Sequence, residues 1–395
     1  MVQISINKNI MAEATQMLLQ VSTVKSPGSS PNENTLFSVS PTTLSLVATS
    51  NAHMAHIKDI PIKIDNGNIM DHVDKPLMIN TKKLAGIVKT CGETVHVKLG
   101  DDKIKMGSAR KTFVLDSYDI SSYEIPEVKL FDYEIDTKIL KNLFNELSSI
   151  TYSKVGGKSS INASSDGAIF CGKEVFGVNR GGSLKYFNSK LFKEEYIEEN
   201  RKISIHPDFF SACLSKTSEE KVIPGISSDQ TKVVLKVGNC ILYKSMILDS
   251  ENFNYSSNDK ILKKAIENHK SGKSVEIKLN FQDFITNLRE AHGIVESQAY
   301  DIIVKKSGKV GIKSENKSVG ASSLSFMDAK VKFPDNLQIE EFTGRYDYTH
   351  LDIIGEVFSE SSELSLYIDL NSNAEAVNIS MEDSEKMGYF SSIAN

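Results

Sequence analysis

Two lysine-containing stretches come close to a phosphate-binding loop. Such a loop needs Gly, four residues, then Gly-Lys-Ser/Thr, because the backbone N–H groups of the turn cradle the phosphates. The Gly-Lys-Ser at 157–159 has Tyr152 where the first glycine belongs, and the Gly-Lys-Ser at 272–274 has Glu267 there. We therefore predict ordinary lysine-bearing loops at both places and no nucleotide-binding loop.

A histidine pair, His53 and His56, is the nearest approach to a metal site. The surrounding residues alternate in polarity as a β-strand does, which places residues three apart on opposite faces. Two side chains on opposite faces cannot share one ion. We predict no metal site, and no other motif suggests a cofactor, so none is expected.

Adjacent carboxylates at Asp101-Asp102 and Glu340-Glu341 could in principle serve as general acid and base. Both pairs fall in turn-like or linker-like sequence, where solvated charge is the commoner role. Neither a GxSxG nor an HExxH motif is present. We predict that the protein is not an enzyme, although a site assembled from distant residues stays open.

The four cysteines, Cys91, Cys171, Cys213 and Cys240, are scattered without CxxC spacing. This pattern is typical of small buried side chains in a reducing compartment. The sequence MVQISINKNI also lacks the basic start and the apolar run of a signal peptide. We therefore expect a cytosolic protein.

Basic residues that recur on predicted helices are the remaining candidates for a function. The chain is slightly acidic, with 46 Lys and Arg against 51 Asp and Glu, which is unusual for a nucleic-acid-binding protein but leaves room for one basic face. The spacing leaves two interpretations open, a surface that contacts phosphates through charge alone or a set of solvated helix faces. The residues are Lys8, Lys25, Lys82, Lys83, Lys89, Lys138, Lys141, Lys154, Lys158, Lys216, Arg289 and Arg345.

The helices that carry these residues recur in three units of similar plan. Each unit opens with a strand, a cap residue and an amphipathic helix, the caps being Asn7, Asp136 and Asn280. A second helix is predicted in each unit, with Pro207 as the first residue of the middle one. The second helices are Asn80–Cys91, His206–Thr217 and Arg345–Phe358.

Strands of alternating polarity follow each second helix and are joined by turn residues, which is typical of an antiparallel meander. Leu-Asp-Ser ends two of these meanders, at 115–117 and at 248–250. A polar, lysine-rich segment at about 256–273 is interpreted as an enlarged linker. We predict an α+β fold of three similar domains, each with two helices and antiparallel sheet, at 1–128, 129–255 and 256–395.

Local sequence adds a resemblance to this plan. The stretches are LLQVS at 18–22, NTLFSVSPTTLSLVATSNAHMAHIKDIPI at 34–62, and PLMINTKKLAGIVKTC followed by KIKMGSARKTFVLDSYDISSYEIPE. Together with the threefold plan they resemble the bacterial DNA polymerase III beta subunit, the sliding clamp, in a divergent or bacteriophage form. The resemblance covers nearly the whole chain.

The resemblance implies a homodimeric ring of six similar domains with sheets outside and helices around a central hole. Duplex DNA passes through the hole without sequence-specific contact, and the ring tethers a DNA polymerase after a clamp loader has placed it. The basic residues given above then face DNA, because weak contacts to phosphate permit sliding and base contacts would oppose it. The expected location is the cytoplasm of a bacterium or of a phage-infected bacterium.

Two protein-binding sites follow from the resemblance by position. The ring closes between the first domain of one subunit and the third domain of the other, where Phe113, Ile294 and Val295 occupy the matching places; ordinary core packing is the alternative for them. A peptide pocket for polymerase and loader lies between the second and third domains. Its residues here are Val178, Arg180, Leu184, Tyr389, Phe390 and Ile393.

Three departures from the family pattern limit what carries over. VNRGGSL only loosely echoes the family's TDGHRL-like stretch, and Ser391 and Ser392 stand where an apolar wall is common. Acidic residues also follow Arg345 on the last predicted helix. The alternatives are a non-enzymatic β-rich scaffold protein with pseudo-repeats, and a two-domain clamp relative that closes as a trimer, which the count of three units disfavours.

Overall fold

The computed structural model describes most of the chain and separates it into two compact units. The described residues are 2–24, 33–73, 75–108, 110–118, 124–151, 167–178, 182–193, 202–246, 255–358, 363–370, 376–382 and 385–391. Unit 1 comprises Met1–Asn145, Lys190–Tyr196 and Ile203–Leu248, and unit 2 comprises Glu146–Ser189, Ile197–Lys202 and Asp249–Asn395.

Seven α-helices lie within the described residues, with one short 3-10 helix at Ile69–Asp71. They are α1 Lys8–Thr23, α2 Thr81–Thr90, α3 Thr137–Thr151, α4 Asp208–Leu214, α5 Tyr255–Lys270, α6 Phe281–Val295 and α7 Tyr348–Val357.

The strands are numbered in chain order. They are β1 Val2–Asn7, β2 Asn34–Val39, β3 Thr43–Thr49, β4 His53–Asn66, β5 Leu77–Asn80, β6 Thr94–Leu99, β7 Lys103–Ser108, β8 Lys111–Asp116, β9 Val128–Leu130, β10 Ile135–Asp136, β11 Gly167–Cys171, β12 Glu174–Val178, β13 Gly182–Tyr186, β14 Lys202–Ile205, β15 Lys221–Ser227, β16 Lys232–Val237, β17 Cys240–Ser245, β18 Val275–Asn280, β19 Ala299–Lys305, β20 Lys309–Asn316, β21 Ala321–Asp328, β22 Lys330–Lys332, β23 Glu341–Asp347, β24 Glu363–Leu370, β25 Ala376–Glu382 and β26 Lys386–Ser391.

Unit 1 is built on one antiparallel sheet in the order β10-β15-β16-β17-β4-β1-β6-β7-β8, with β3, β2 and β5 branching from β4 and β9 pairing with β15. Helix α1 packs against α2, α4, β3 and β4. Its buried side chains include Met11, Leu18 and Val21, which recur at helical spacing. Strand β8 ends the sheet, so one of its edges has no neighbour among the described strands.

Unit 2 contains two antiparallel sheets. One carries the order β11-β12-β13-β26-β25-β24-β18-β22, and the other has the order β21-β20-β19-β23. Helices α6 and α7 pack against each other, and α6 also packs against β20 and β21. The aromatic side chains Phe281 and Phe284 of α6 are fully buried and supply much of this core.

The strand, cap and helix predicted at each of three places in the sequence are confirmed. Asn7 accepts hydrogen bonds from the N–H groups of two following residues at the start of α1, and Asn280 does the same for α6. Asp136 accepts a bond from the N–H of Lys138 at the start of α3. In each case a short strand runs into a capped helix, because the side-chain oxygen satisfies N–H groups that the helix leaves open.

Three predicted boundaries are corrected. The helix expected from Arg345 begins at Tyr348, because Glu341–Asp347 alternates in burial and pairs with β19 as strand β23. The helix expected from His206 spans only Asp208–Leu214, with Pro207 before its first residue. The segment interpreted as a linker forms α5, because four residues at spacing 3, 1 and 3 (262, 265, 266 and 269) give it an apolar stripe.

Candidate nucleic-acid interface and protein-binding surfaces

The first helix pair, α1 and α2, carries four of the predicted DNA-facing residues. Lys8 begins α1, and Lys82, Lys83 and Lys89 are exposed on α2, away from its buried Leu84. Lys82 forms an ion pair with Glu33 at 2.9 Å. Among the described residues no ion pair within 4 Å involves the other three lysines, so their charge is available to an outside anion.

The middle part of the chain carries a weaker basic set. Lys138 is exposed and Lys141 half-buried on α3, and Lys216 is exposed two residues beyond the end of α4. Glu146 and Asp208 lie on these same two helices and balance the two helical lysines. Three further predicted residues, Lys25, Lys154 and Lys158, lie outside the described residues.

Both predicted arginines are neutralised by neighbouring carboxylates. Arg289 on α6 donates from Nε to Asp352 of α7 at 2.7 Å. Arg345 lies on strand β23 and not on a helix, and it donates from Nε and from a terminal nitrogen to Asp301 across the sheet. Paired arginines of this kind contribute little net positive charge to a surface.

The two well-described helix pairs therefore differ in charge. Pair α1 and α2 has four lysines against one glutamate, which gives a net charge of +3. Pair α6 and α7 has one arginine against four carboxylates, a net charge of −3. The basic surface predicted from the sequence is present on the first pair and absent from the last.

Two sheet edges expose apolar side chains. On the edge strand β8, Phe113 is 38% and Val114 54% exposed, beside a groove of about 360 Å³ whose lining includes Lys83. On the edge strand β21, Leu324 is 56% and Phe326 44% exposed. An edge strand presents unpaired N–H and C=O groups, so an apolar edge favours the addition of another strand.

The sequence prediction for ring closure is only partly compatible with this surface. Ile294 is 70% exposed at the end of α6, whereas the side chain of Val295 is fully buried in unit 2. Val295 is therefore corrected to a core residue. Leu324 and Phe326 were not predicted from the sequence, although the alternation at the centre of β21 contains the signal: Ser323 and Ser325 are half-buried, whereas Leu324 and Phe326 are exposed.

Residues predicted for the peptide pocket come together on neighbouring strands but point to different sides. Backbone pairing joins β12 to β13 and β13 to β26, and Leu184 lies opposite Gly388. Directly paired residues share a face and successive residues alternate. Leu184 and Phe390 thus lie on the core side, near α7, where the ring of His350 is 5.6 Å from that of Phe390.

Tyr389 lies on the opposite face from these two side chains and is 6% exposed. Leu184 and Phe390 are at most 2% exposed, so in this structure their side chains contribute to the core and not to an open pocket. Arg180 and Ile393 lie outside the described residues, as does the side chain of Val178, whose backbone pairs with Ser183.

The histidine pair does not form a metal site. His53 Nε2 lies 2.7 Å from Lys244 Nζ, whereas His56 Nε2 lies 3.0 Å from Ser45 Oγ on another strand. The two rings point to opposite faces of β4, as the alternation predicted. Nowhere in the described part of the chain do three His, Cys, Asp or Glu side chains come together in a way that could hold a metal.

Burial governs the protonation of this region. Desolvation, followed by the charge of Lys244, lowers the pKa of His53 to about 2, and desolvation lowers that of His56 and of His206 to about 4. Desolvation also lowers the pKa of Lys244 to about 8, against the opposing charge of Asp208. These imidazoles are therefore neutral at pH 7. The contacts of Lys244 with His53 and Asp208 stabilise the junction of β4 and β17.

Within the described residues, no helix has the length and apolar character that a membrane-spanning helix requires. Three of the four cysteines are buried and Cys171 is half-buried; all four are free thiols, as predicted.

No family model and no curated protein matches the sequence. Solved structures are nevertheless similar over the full chain. The DNA polymerase III subunit beta of Pseudomonas aeruginosa has 10% identity and a TM-score of 0.75, with 100% of both chains covered. The DNA polymerase sliding clamp of Bacillus subtilis has 14% identity and a TM-score of 0.74, with 100% of this chain and 99% of that one covered.

The beta subunit from the DNA polymerase of Streptococcus pyogenes gives the same result, with 12% identity, a TM-score of 0.74 and 100% of both chains covered. The chain has the fold of these proteins, which confirms the α+β clamp fold predicted from the sequence. At identities of 10% to 14% these structures show the fold alone.

Proposed function

We propose that the protein is a DNA sliding clamp, a non-enzymatic processivity factor that encloses duplex DNA and tethers a DNA polymerase in the cytoplasm. The observation that carries this proposal is the full-length similarity to bacterial beta clamps. The repeated unit of a capped helix, a second helix and an antiparallel meander supports a division into three clamp domains at 1–128, 129–255 and 256–395. The mechanism is topological, so no bond is made or broken.

DNA contact in this proposal comes chiefly from the basic helix pair α1 and α2. Lys8, Lys83 and Lys89 carry charge without an intramolecular ion pair among the described residues, and Lys82 can exchange Glu33 for a phosphate. Contacts between ammonium groups and phosphates are independent of base sequence and are weakened by salt. Such contacts suit a protein that must move along its ligand.

Ring closure in this proposal joins β8 of one copy to β21 of the other. Each copy offers one edge of each kind, so two copies can form two such junctions and close. Phe113 and Val114 would pack beside Leu324 and Phe326, with Ile294 at the margin. The apolar area removed from water, together with new backbone hydrogen bonds, supplies the driving force.

Partner binding completes the proposed function. A clamp loader opens and closes the ring on DNA, and the polymerase binds through a short peptide near β12, β13 and β26. Tyr389 is the candidate contact among the described residues, because Leu184 and Phe390 belong to the core side of the sheet; at 6% exposed, Tyr389 would also have to be uncovered by its neighbours. A peptide that reaches those two would first have to displace packed side chains.

Light scattering tests ring closure. The wild-type protein should have a mass near twice 43.7 kDa at micromolar concentration. The substitutions Val114→Asp and Leu324→Asp should each give monomers, because a carboxylate on an apolar edge would be buried without a partner. Met70→Asp, at a residue that is 60% exposed on the short 3-10 helix and on neither edge strand, should stay dimeric.

Circular dichroism of each variant would verify that the fold is retained. A strictly monomeric wild-type protein would contradict the proposal, and so would dimers that persist when either edge carries the carboxylate.

A further inference from the structure

Helix α5 stands outside the repeated plan of the fold. The other six helices of the described residues fall into three pairs, each opened by a strand and a cap, whereas α5 lies alone between β17 and β18. The chain therefore maintains sixteen residues of helix that the repeated domain plan does not require. A function specific to this protein is one reason for such an element.

One side of α5 is anchored firmly to the sheet of unit 2. Leu262 and Ala265 are each 1% exposed. Near the end of the helix, the ring of His269 stacks on Tyr367 of β24 at 3.8 Å with an interplanar angle of 14°. Its Nε2 lies 2.9 Å from Ser380 Oγ of β25. Both ring and hydrogen bond fix the rotation of the helix about its axis.

The register of the sheet shows which face α5 covers. Ser380 pairs with Tyr367, so both lie on the side of α5. The next residue, Met381, is fully buried on the other side and pairs with Gly388, where an added Cβ would lie 3.2 Å from the ring of Phe358. Helix α5 thus lies on the face of the sheet opposite the hydrophobic core.

The exposed side of α5 is basic. Successive residues of a helix are rotated by about 100°, which places 260 and 264 opposite the anchored residues, beside the exposed Glu267, and places 263 and 270 on one flank. Residues 260, 263, 264 and 270 are all lysines, and Lys273 follows in the next turn. Against five lysines, the segment 255–273 contains two acidic residues, so it carries a net charge of +3 in a chain of net charge −5.

This surface has the composition of a phosphate-binding surface and not of a protein interface. Protein interfaces are rich in aromatic residues and arginine at their centre and are depleted in lysine. Among the described side chains of α5, Ile261 is the exposed large apolar one, at 38%. No ion pair within 4 Å is found, among the described residues, for Lys260, Lys264, Lys270 or Lys273.

We propose that α5 is a second nucleic-acid site, which holds the phosphate backbone of DNA on the face of the sheet away from the core. The site is distinct in sequence and in compact unit from the basic helix pair α1 and α2. It goes beyond the proposed function, because it does not require the ring to be closed. Single-stranded and duplex DNA share the phosphate chemistry, and the binding experiment separates them.

The experiment measures fluorescence anisotropy of a labelled oligo-dT strand, and of a labelled duplex of equal length, over a range of salt concentrations. The test variant is K260A/K264A/K270A. The matched control is K313A/K330A/K332A, which removes three exposed lysines from strands β20 and β22 of the same unit. A charge-conserving variant, K260R/K264R/K270R, distinguishes lost charge from a disturbed helix.

We expect the α5 alanine variant to lower the slope of log K against log salt by about 2 for the single strand, since each phosphate contributes about 0.7. The control and the arginine variant should keep the wild-type slope, and all proteins should keep the same dimer mass. The probe whose salt slope changes more, single-stranded or duplex DNA, identifies the form of DNA that α5 binds.

An unchanged slope in the α5 alanine variant, on both probes, would overturn the proposal and leave the sliding-clamp function untouched. Binding of labelled poly-glutamate that depends on these lysines, without binding of either DNA probe, would overturn it in favour of an acidic protein partner. Loss of DNA binding only in variants of α2 would point to the clamp function alone.

Discussion

Removal of three lysines from α2 perturbs the proposed DNA contact most cleanly. The variant K82A/K83A/K89A changes exposed side chains on a helix whose other side is buried, and alanine favours helix, so the fold should be retained. Lys82 would exchange its ion pair with Glu33, at 2.9 Å, for one with a phosphate, with little net release of ions, and we therefore count two contacts per subunit toward the salt slope and not three.

The size of the effect follows from counterion release. Each phosphate contact contributes about 0.9 to the slope of log K against log salt for duplex DNA, so the slope should fall by about 1.8 for each subunit that contacts the duplex. Between about 50 and about 200 mM salt, wild-type binding should then weaken about tenfold more than binding of the variant. Fluorescence anisotropy with a short labelled duplex measures both slopes directly.

The matched control is K98A/K103A/K105A. These lysines lie on β6 and β7 of the same unit, on the sheet face opposite the buried Val97 and Ile104. The change in net charge is the same, so a general electrostatic effect would reduce both slopes equally. Equal slopes in the two variants, or a wild-type slope in the α2 variant, would refute the assignment of DNA contact to α2.

Three further predictions concern stability. Burial lowers the pKa of His53, His56 and His206 below the ordinary value of 6.5, so their contribution to the free energy of unfolding is complete above that pH and is lost as the pH falls. Urea unfolding should show that the free energy of unfolding decreases by about 2 kcal/mol per imidazole between pH 6.5 and about 5. A free energy of unfolding that does not change with pH in this range would contradict the prediction. Lys244→Met should lower the free energy of unfolding by about 3 kcal/mol at pH 7, since it removes the buried ammonium group that contacts the His53 ring and the Asp208 carboxylate. A variant more stable than the wild type would show that these contacts are dispensable. Gly182→Ala should lower the free energy of unfolding by about 1–3 kcal/mol, because the added Cβ would lie 2.5 Å from a ring carbon of Phe390 on the paired strand. Thermal melts of the variant and the wild type measure the change, and equal melting temperatures would contradict the prediction.

Local features of the fold could be predicted from the sequence. Caps at Asn7, Asp136 and Asn280 bond to N–H groups two or three residues away, so a short stretch contains the whole interaction. The opposite orientation of His53 and His56 likewise follows from alternation along one strand. Structural features that depend only on residues a few positions apart can be predicted from sequence patterns.

Features that depend on distant partners could not be predicted. Val295 follows the exposed Ile294, and nothing in the local sequence distinguishes the two apolar residues. The packing of α6 against β20 and β21 buries Val295. Leu184 and Phe390 lie on the core side because of the register between β13 and β26, more than two hundred positions apart. A shift of one residue would have turned both to the other face.

Helix α5 illustrates a different difficulty. Its many lysines and other polar residues are typical of a linker, and only four residues form the stripe that faces the sheet, two of them buried and two half-buried. The helix is stabilised by packing of His269 on Tyr367, a contact across about a hundred positions. Packing against the sheet therefore stabilises this segment as a helix, although its local composition does not predict one.

The claim that the protein encloses DNA is tested most directly by its release from a cut circle. The protein is loaded onto nicked circular DNA by a clamp loader, washed at high salt, and the circle is then linearised. A protein that encloses the DNA stays on the circle through the high-salt wash and slides off the free ends once the circle has been cut. Protein that stays on the linear DNA, or that never resists the wash despite an active loader, would contradict enclosure.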